Sequence, residues 1–279
     1  MSEQNEDGLR AVQDWWATSI INMAPGMIEF RGYPIQELIG RVSFPQMIWL
    51  LLRGDLPTQA QAKLLEAALV ASVDHGPHAP SIAIARMAIT CGVDLNTAMA
   101  SGANVLGDAH GGAGQQCMEL YEAIRTLAAS EALDAAVEKG LSQHRAKYGK
   151  IIAGFGHRFH PIDPRVAPLL GLVEDAAAAG VVSGAYAPIA RGVEAALKRQ
   201  TGKNIPMNID GVTAVIFSEL GFAPALGRGL FILSRSVGIL AHAWEQSQEG
   251  VRNKGPAPRD VRFTYTGPPR RSLKDEDLK

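Results

Sequence analysis

Apolar residues in this chain recur at helical spacing, three and four positions apart, in stretches separated by glycine or proline, and that pattern points to packed helices rather than a sheet. Thr58 stands where a helix N-cap is expected, ahead of an apolar face made by Leu64, Leu65, Ala68 and Leu69. Ser43 followed by Pro45 opens a shorter helix that closes at Gly54, and Asp94 begins a third that runs toward Leu106. That third segment is rich in Ala, Ser and Gly, which let helices approach closely. After His110 a stripe of Cys117, Leu120, Ile124 and Leu127 marks another helix, followed by an alanine-rich, charged region to Lys150. Residues 164–200 read as two helices broken at Gly180 to Gly184, and a helix from Gly211 carries Val212, Val215, Ile216 and Leu220. A longer one, from about Gly229 to Gln248, is apolar on most sides and is expected at the centre of the fold. With aromatic residues at 6% and few β-branched runs, the expected class is all-α, with an extended tail from Arg252 onward.

At 279 residues, one large domain or two unequal ones is expected. A formal charge of -1, with Lys and Arg scattered, offers no electrostatic footprint for nucleic acid or an anionic membrane, so small ligands become the expected partners. Cys91 and Cys117 form no metal-like or redox-like pair, which suits a reducing compartment. The acidic, polar N-terminus resembles neither a secretory signal nor a transit peptide, and apolar runs such as Met47 to Leu52 are too short to span a bilayer. A cytoplasmic protein is expected.

Four segments set ionisable residues beside glycine or proline turns: Asp74-His75-Gly76-Pro77-His78, Gly107-Asp108-Ala109-His110-Gly111-Gly112-Ala113, Gly154 to Arg165, and Asn208-Ile209-Asp210-Gly211. Each has an ordinary explanation. The third alone could be a solvated loop, and an aspartate ahead of a helix, such as Asp210, more often caps it than catalyses. His75 with His78 and His157 with His160 have metal-ligand spacing, but without neighbouring Cys or Glu no metal is expected. His144 and His242 read as ordinary helix residues, one on the surface and one in the core.

Taken in order, the segments resemble the motifs of the citrate synthase superfamily. Arg31-Gly32-Tyr33-Pro34-Ile35-Gln36-Glu37-Leu38, with Gly54-Asp55-Leu56-Pro57-Thr58, is similar to that family's early signature and the turn that follows it. Ala109 to Ala113 resembles its first catalytic histidine motif, and Gly154 to His157 with Asp163-Pro164-Arg165 its second. Asn208 to Asp210 resembles the aspartate motif, and Ser234 to His242 the arginine helix. The likeness runs from about residue 29 to 267. It implies a citrate synthase-like fold, with a large helical domain of residues 1–114 and 210–279, a small CoA-binding domain of residues 115–209, and the active site in the cleft.

The resemblance also assigns roles. Asp210 would be the carboxylate base, His110 the partner that stabilises the enol or enolate, and His157 the proton donor to the oxaloacetate carbonyl. His75, Arg165 and Arg235 would bind substrate, guanidinium forks being well shaped for carboxylates, and Arg259 is the candidate for a subunit-crossing arginine. Ile152, Ala153, Gly154, Phe155, Gly156 and Arg158 would receive coenzyme A, a thioester substrate rather than a tightly bound cofactor. A homodimer or higher homo-oligomer is implied.

This chain departs from full-length citrate synthases in beginning close to the first shared signature, which resembles the citryl-CoA lyase module of ATP citrate lyase. Asp74-His75-Gly76-Pro77, the run at 97–102 leading to Gly107-Asp108, and Gly211 after Asp210 agree with that module. His110 does not, because the module lacks a histidine there, and Gly114 stands where synthases usually carry Asn. The expectation is a stand-alone citryl-CoA lyase yielding acetyl-CoA and oxaloacetate, its substrate made by a separate citryl-CoA synthetase. The alternatives are citrate synthase itself, a lyase for another 3-hydroxy-3-carboxyacyl-CoA, and a non-catalytic acyl-CoA-binding paralogue.

Overall fold

The computed structural model describes residues 3–156, 160–258 and 260–273. Contacts divide the chain into two compact units, Met1–His75 with Val105–Gly238, and Gly76–Asn104 with Ile239–Lys279. The fold is mostly helical, as the spacing predicts.

The first unit opens with α1 (Glu3–Trp15) and a small antiparallel sheet of β1 (Ile21–Ala24), β2 (Met27–Phe30) and β3 (Tyr33–Pro34), in which Ile21 faces Phe30 and Ala24 faces Met27. The Arg-Gly of the early signature makes the turn from β2 to β3. The periodicity does not reveal this sheet, since strands this short show little alternation. After α2 (Ile35–Leu38) come α3 (Phe44–Arg53) and α4 (Gln59–Ser72), each begun by a capping box, Ser43 with Gln46 and Thr58 with Gln61.

In the second unit, α5 (Pro80–Thr90) and α6 (Leu95–Asn104) pack as a hairpin. At Gly102 a Cβ would lie 2.8 Å from the Ser81 carbonyl oxygen, so the small residues of α6 do serve close packing. The amides of Asn253 and Lys254 donate to the backbone and side-chain oxygens of Thr90 (2.7 and 2.9 Å), fixing the start of the tail.

Five helices carry most of the first unit's core: α7 (Ala113–Ala128), α8 (Leu133–Tyr148), α9 (Val166–Ala178), α10 (Tyr186–Thr201) and α11 (Ile209–Glu219). The central one is α11, buried from Gly211 to Ser218 and packed against α4, α7, α9 and α10. Its C-terminus is closed by Arg53, which donates to the carbonyls of Leu220 and Gly221 (2.8 and 2.6 Å) while lying over Trp49 and Phe222. Glu219, at its end, accepts from the amides of Gly184 and Tyr186 and so closes the start of α10.

The last helix, α12 (Pro224–Gln248), is not the central one. Its apolar residues cover more than one face, and a stripe of Leu233, Val237, Leu240 and Trp244 is 41–59% exposed. The alanine-rich region to Lys150 is α8, and His144 within it is buried rather than on the surface. It continues the stripe of Val137, Gly140 and Leu141, so the helical period takes it inward. His242, expected in the core, is only partly buried beside Arg86 in the second unit. Both cysteines are free, Cys91 exposed and Cys117 buried.

Candidate active site

The start of α11 sets the position of Asp210. Asn208 is the N-cap, its side-chain oxygen accepting from the amides of Asp210 (2.9 Å) and Gly211 (3.3 Å). Asp210 therefore does not cap the helix, and its carboxyl is left for other work. Burial pushes that carboxyl above the usual range, with Asp163 adding to the rise and Arg235 and Arg165 opposing it.

The second histidine motif is tied to this helix start by backbone bonds. Asn208 donates through its amide to the Gly154 carbonyl (2.9 Å) and through Nδ2 to that of Gly156 (2.6 Å), and the Gly156 amide donates to Pro206 (2.7 Å). The approach leaves no room for side chains. Gly154 has φ +83°, and a Cβ there would lie 2.6 Å from Cys117 Sγ and 2.9 Å from Gly211 Cα. Ile152 and Phe155 turn into the core, Phe155 against Tyr121.

Further along the same segment, Asp163 makes a junction that sequence reasoning missed. Its carboxylate, fully buried, takes Arg165 Nε (2.9 Å) and Nη2 (2.8 Å) in a two-pronged ion pair and also accepts from the Ile209 amide (3.0 Å). One side chain thus joins Arg165 to the start of α11. Although burial raises the Asp163 carboxyl, its bonds to Arg165 outweigh this and hold it below the usual range.

Arg165 and Arg235 meet at the end of α4. That helix has no basic residue in its last turn, and its carbonyls are served from elsewhere: Ala71 by Arg165 Nη1 (3.3 Å), Ser72 by Arg235 Nε (3.2 Å) and Leu69 by the Ser234 hydroxyl. Arg235 is buried, with its guanidinium over the Phe231 ring. Burial disfavours its charge, while Asp74 and Asp210 support it and Arg165 opposes it.

His110 lies in a turn closed by its own amide and that of Gly112, both donating to the Gly107 carbonyl (3.2 and 3.0 Å). Burial, then the charge of Arg235, lowers its pKa and favours the neutral ring. Arg235 thus lies within electrostatic reach of His110, Asp210 and Arg165, and the structure brings these four expected residues together. His75 joins them through Asp74, next to it in sequence and electrostatically coupled to Arg235. Its ring meets that of His160 edge to face, centroids 5.8 Å apart. His157, Arg158 and Arg259 lie outside the described residues.

Asp163→Asn should remove the ion pair while leaving Arg165 partly buried, at a cost of roughly 3–5 kcal/mol. Because the folded-state pKa of Asp163 is depressed, the pair's contribution is complete above the ordinary aspartate range and fades as pH falls below about 4. Urea denaturation at neutral pH should show the gap between wild type and variant, and the gap should narrow in acid. An equal difference at both pH values would assign the loss to something other than this carboxylate.

The model of the family described as "Citrate synthase, C-terminal domain" matches residues 8–67 and 59–254. The chain belongs to the citrate synthase family. It is similar to the solved structure of citryl-CoA lyase from Hydrogenobacter thermophilus, at 34% identity and TM-score 0.81, covering 95% of this chain and 99% of that one. A citrate synthase of Acidithiobacillus ferridurans is 29% identical over 199 residues, which are 70% of this chain and 50% of that protein. The chain spans about half the length of that curated relative. ATP citrate lyase from Methanothrix soehngenii, solved in complex with citrate and coenzyme A, shares the fold at 22% identity and TM-score 0.73, covering all of this chain and 46% of that one.

Proposed function

We propose that this protein is a citryl-CoA lyase, cleaving citryl-CoA to acetyl-CoA and oxaloacetate. The observation that carries the reading is the convergence of His110, Asp210, Arg165 and Arg235 on one site, in a chain similar over nearly its whole length to a citryl-CoA lyase. His157 takes the proton from the C3 hydroxyl, the bond between C2 and C3 breaks, and the C3 oxygen becomes the carbonyl of oxaloacetate. The electron pair left on C2 is delocalised into the thioester as an enolate, its oxygen held by the neutral ring of His110. Asp210 then delivers a proton to that carbon, completing acetyl-CoA. A carboxyl raised by burial is suited to hold that proton beforehand.

Arg165 and Arg235 bind substrate carboxylates, with His75 beside them. Arg165 keeps one N–H on each of Nη1 and Nη2 for a ligand after its bonds to Asp163 and Ala71. Coenzyme A enters as part of the substrate, along Ile152 to Gly156 with Arg158. In this reading residues 115–209 close as a small domain over the rest and exclude water. The exposed stripe on α12 supports a homodimer, in which Arg259 is the candidate to cross between subunits. A separate synthetase supplies the citryl-CoA.

Citrate synthase is the second reading, supported by the similarity to the Acidithiobacillus ferridurans protein. The two are separated by the fate of the thioester. Given citryl-CoA, the purified protein is expected to release oxaloacetate without free CoA, and given acetyl-CoA and oxaloacetate it should release no CoA. Steady CoA release from the second mixture would transfer the assignment to the synthase.

A further inference from the structure

His160 has no part in the chemistry assigned above, yet its ring stands edge to face with that of His75, 5.8 Å between centroids. It lies on the segment that carries Asp163 and Arg165. Arg165 and Arg235 anchor on the carbonyls of Ala71 and Ser72, a few residues before His75, so the two imidazoles and the two guanidiniums gather at one end of α4. Both histidines are partly exposed, as a ligand contact requires.

We infer that His160 is a second imidazole contact to a carboxylate of the oxoacid half of the substrate, acting beside His75; this rests on the lyase or synthase reading of the site. The donor supply argues for it. Two carboxylates offer about eight lone-pair sites, whereas Arg165 has two N–H groups left and Arg235, bonded through Nε, has four. Imidazole N–H groups supply donors where carboxylates outnumber the arginine hydrogens.

The test is calorimetric binding of oxaloacetate, and separately of coenzyme A, to the wild type, His160→Leu and His160→Gln. His160→Leu should weaken oxaloacetate binding by about 10- to 100-fold, the loss of one hydrogen bond to a charged group, with coenzyme A binding and the melting midpoint unchanged. His160→Gln, which keeps an N–H donor, should recover part of that loss. Unchanged oxaloacetate affinity in His160→Leu would overturn the inference. So would equal weakening in both variants accompanied by a lower melting midpoint, which would mark a packing role. If the wild type itself bound neither oxaloacetate nor citrate, the reading of the whole site would fall and this inference with it; wild-type binding with unaltered variants removes His160 alone.

Discussion

Asp210→Asn is expected to lose about a thousandfold or more of turnover while melting no lower than the wild type at neutral pH. Opposite signs are expected because the same burial serves catalysis and opposes folding. Turnover needs a carboxyl that can give or take a proton at the acetyl carbon, and asparagine can do neither. Stability moves the other way because the folded-state pKa of Asp210 is raised. A raised carboxyl favours folding most when protonated, below its unfolded value, and loses that advantage as pH rises through its folded value. Ionising this carboxyl costs the fold because burial disfavours the charge, and the neutral amide carries no such cost. Arg235 retains Asp74 as a charge partner in the variant. Single-turnover kinetics and thermal melting on the same preparation check both halves. Near-normal turnover would remove Asp210 from the mechanism, and a marked fall in melting midpoint would show that its charge supports the fold.

Gly211→Ala should damage both the fold and the site, costing about 3 kcal/mol. A Cβ at this position would fall inside contact distance of the Gly154 carbonyl oxygen and 2.6 Å from Met207 Cγ. The neighbour that would have to move is largely backbone, and that backbone accepts from the Asn208 amide. Relief would therefore come by parting the 154–156 segment from the start of α11, which would displace Asp210 as well. Urea unfolding should show a midpoint shift well outside error, together with lowered activity. A variant within about 1 kcal/mol of wild type would mean that the two segments separate easily and that this junction does not fix the site.

Much of this was legible in the residues. The capping pairs Ser43 with Gln46 and Thr58 with Gln61 are local, so the helices they begin could be placed without tertiary knowledge. Collinear motifs pointed to His110, Asp210, Arg165 and Arg235, because chemistry restricts the residue types at those places. What escaped depended on distant partners. Asp163 looked like one residue of an Asp-Pro-Arg turn, and its importance comes from an amide 46 positions later. The cap of α11 was not legible, since Asn208 and Asp210 are both good capping residues and only the backbone decides which is outside the helix. The start of α5, capped by no side chain, has only Pro80 in its first turn as a local signal. His144 could have been read as buried, because it extends the spacing of Val137, Gly140 and Leu141, but its polarity argued against what its position said.

The unfinished end of α4 has a consequence for how this site can change over evolution. Two arginines proposed to read the substrate are also the groups that complete that helix. A lineage shifting to a new acid cannot replace either one freely, since each substitution leaves a helix end to be mended by some second change. Specificity is therefore inherited together with architecture, and drift toward new substrates is channelled to neighbouring positions that hold no piece of the scaffold.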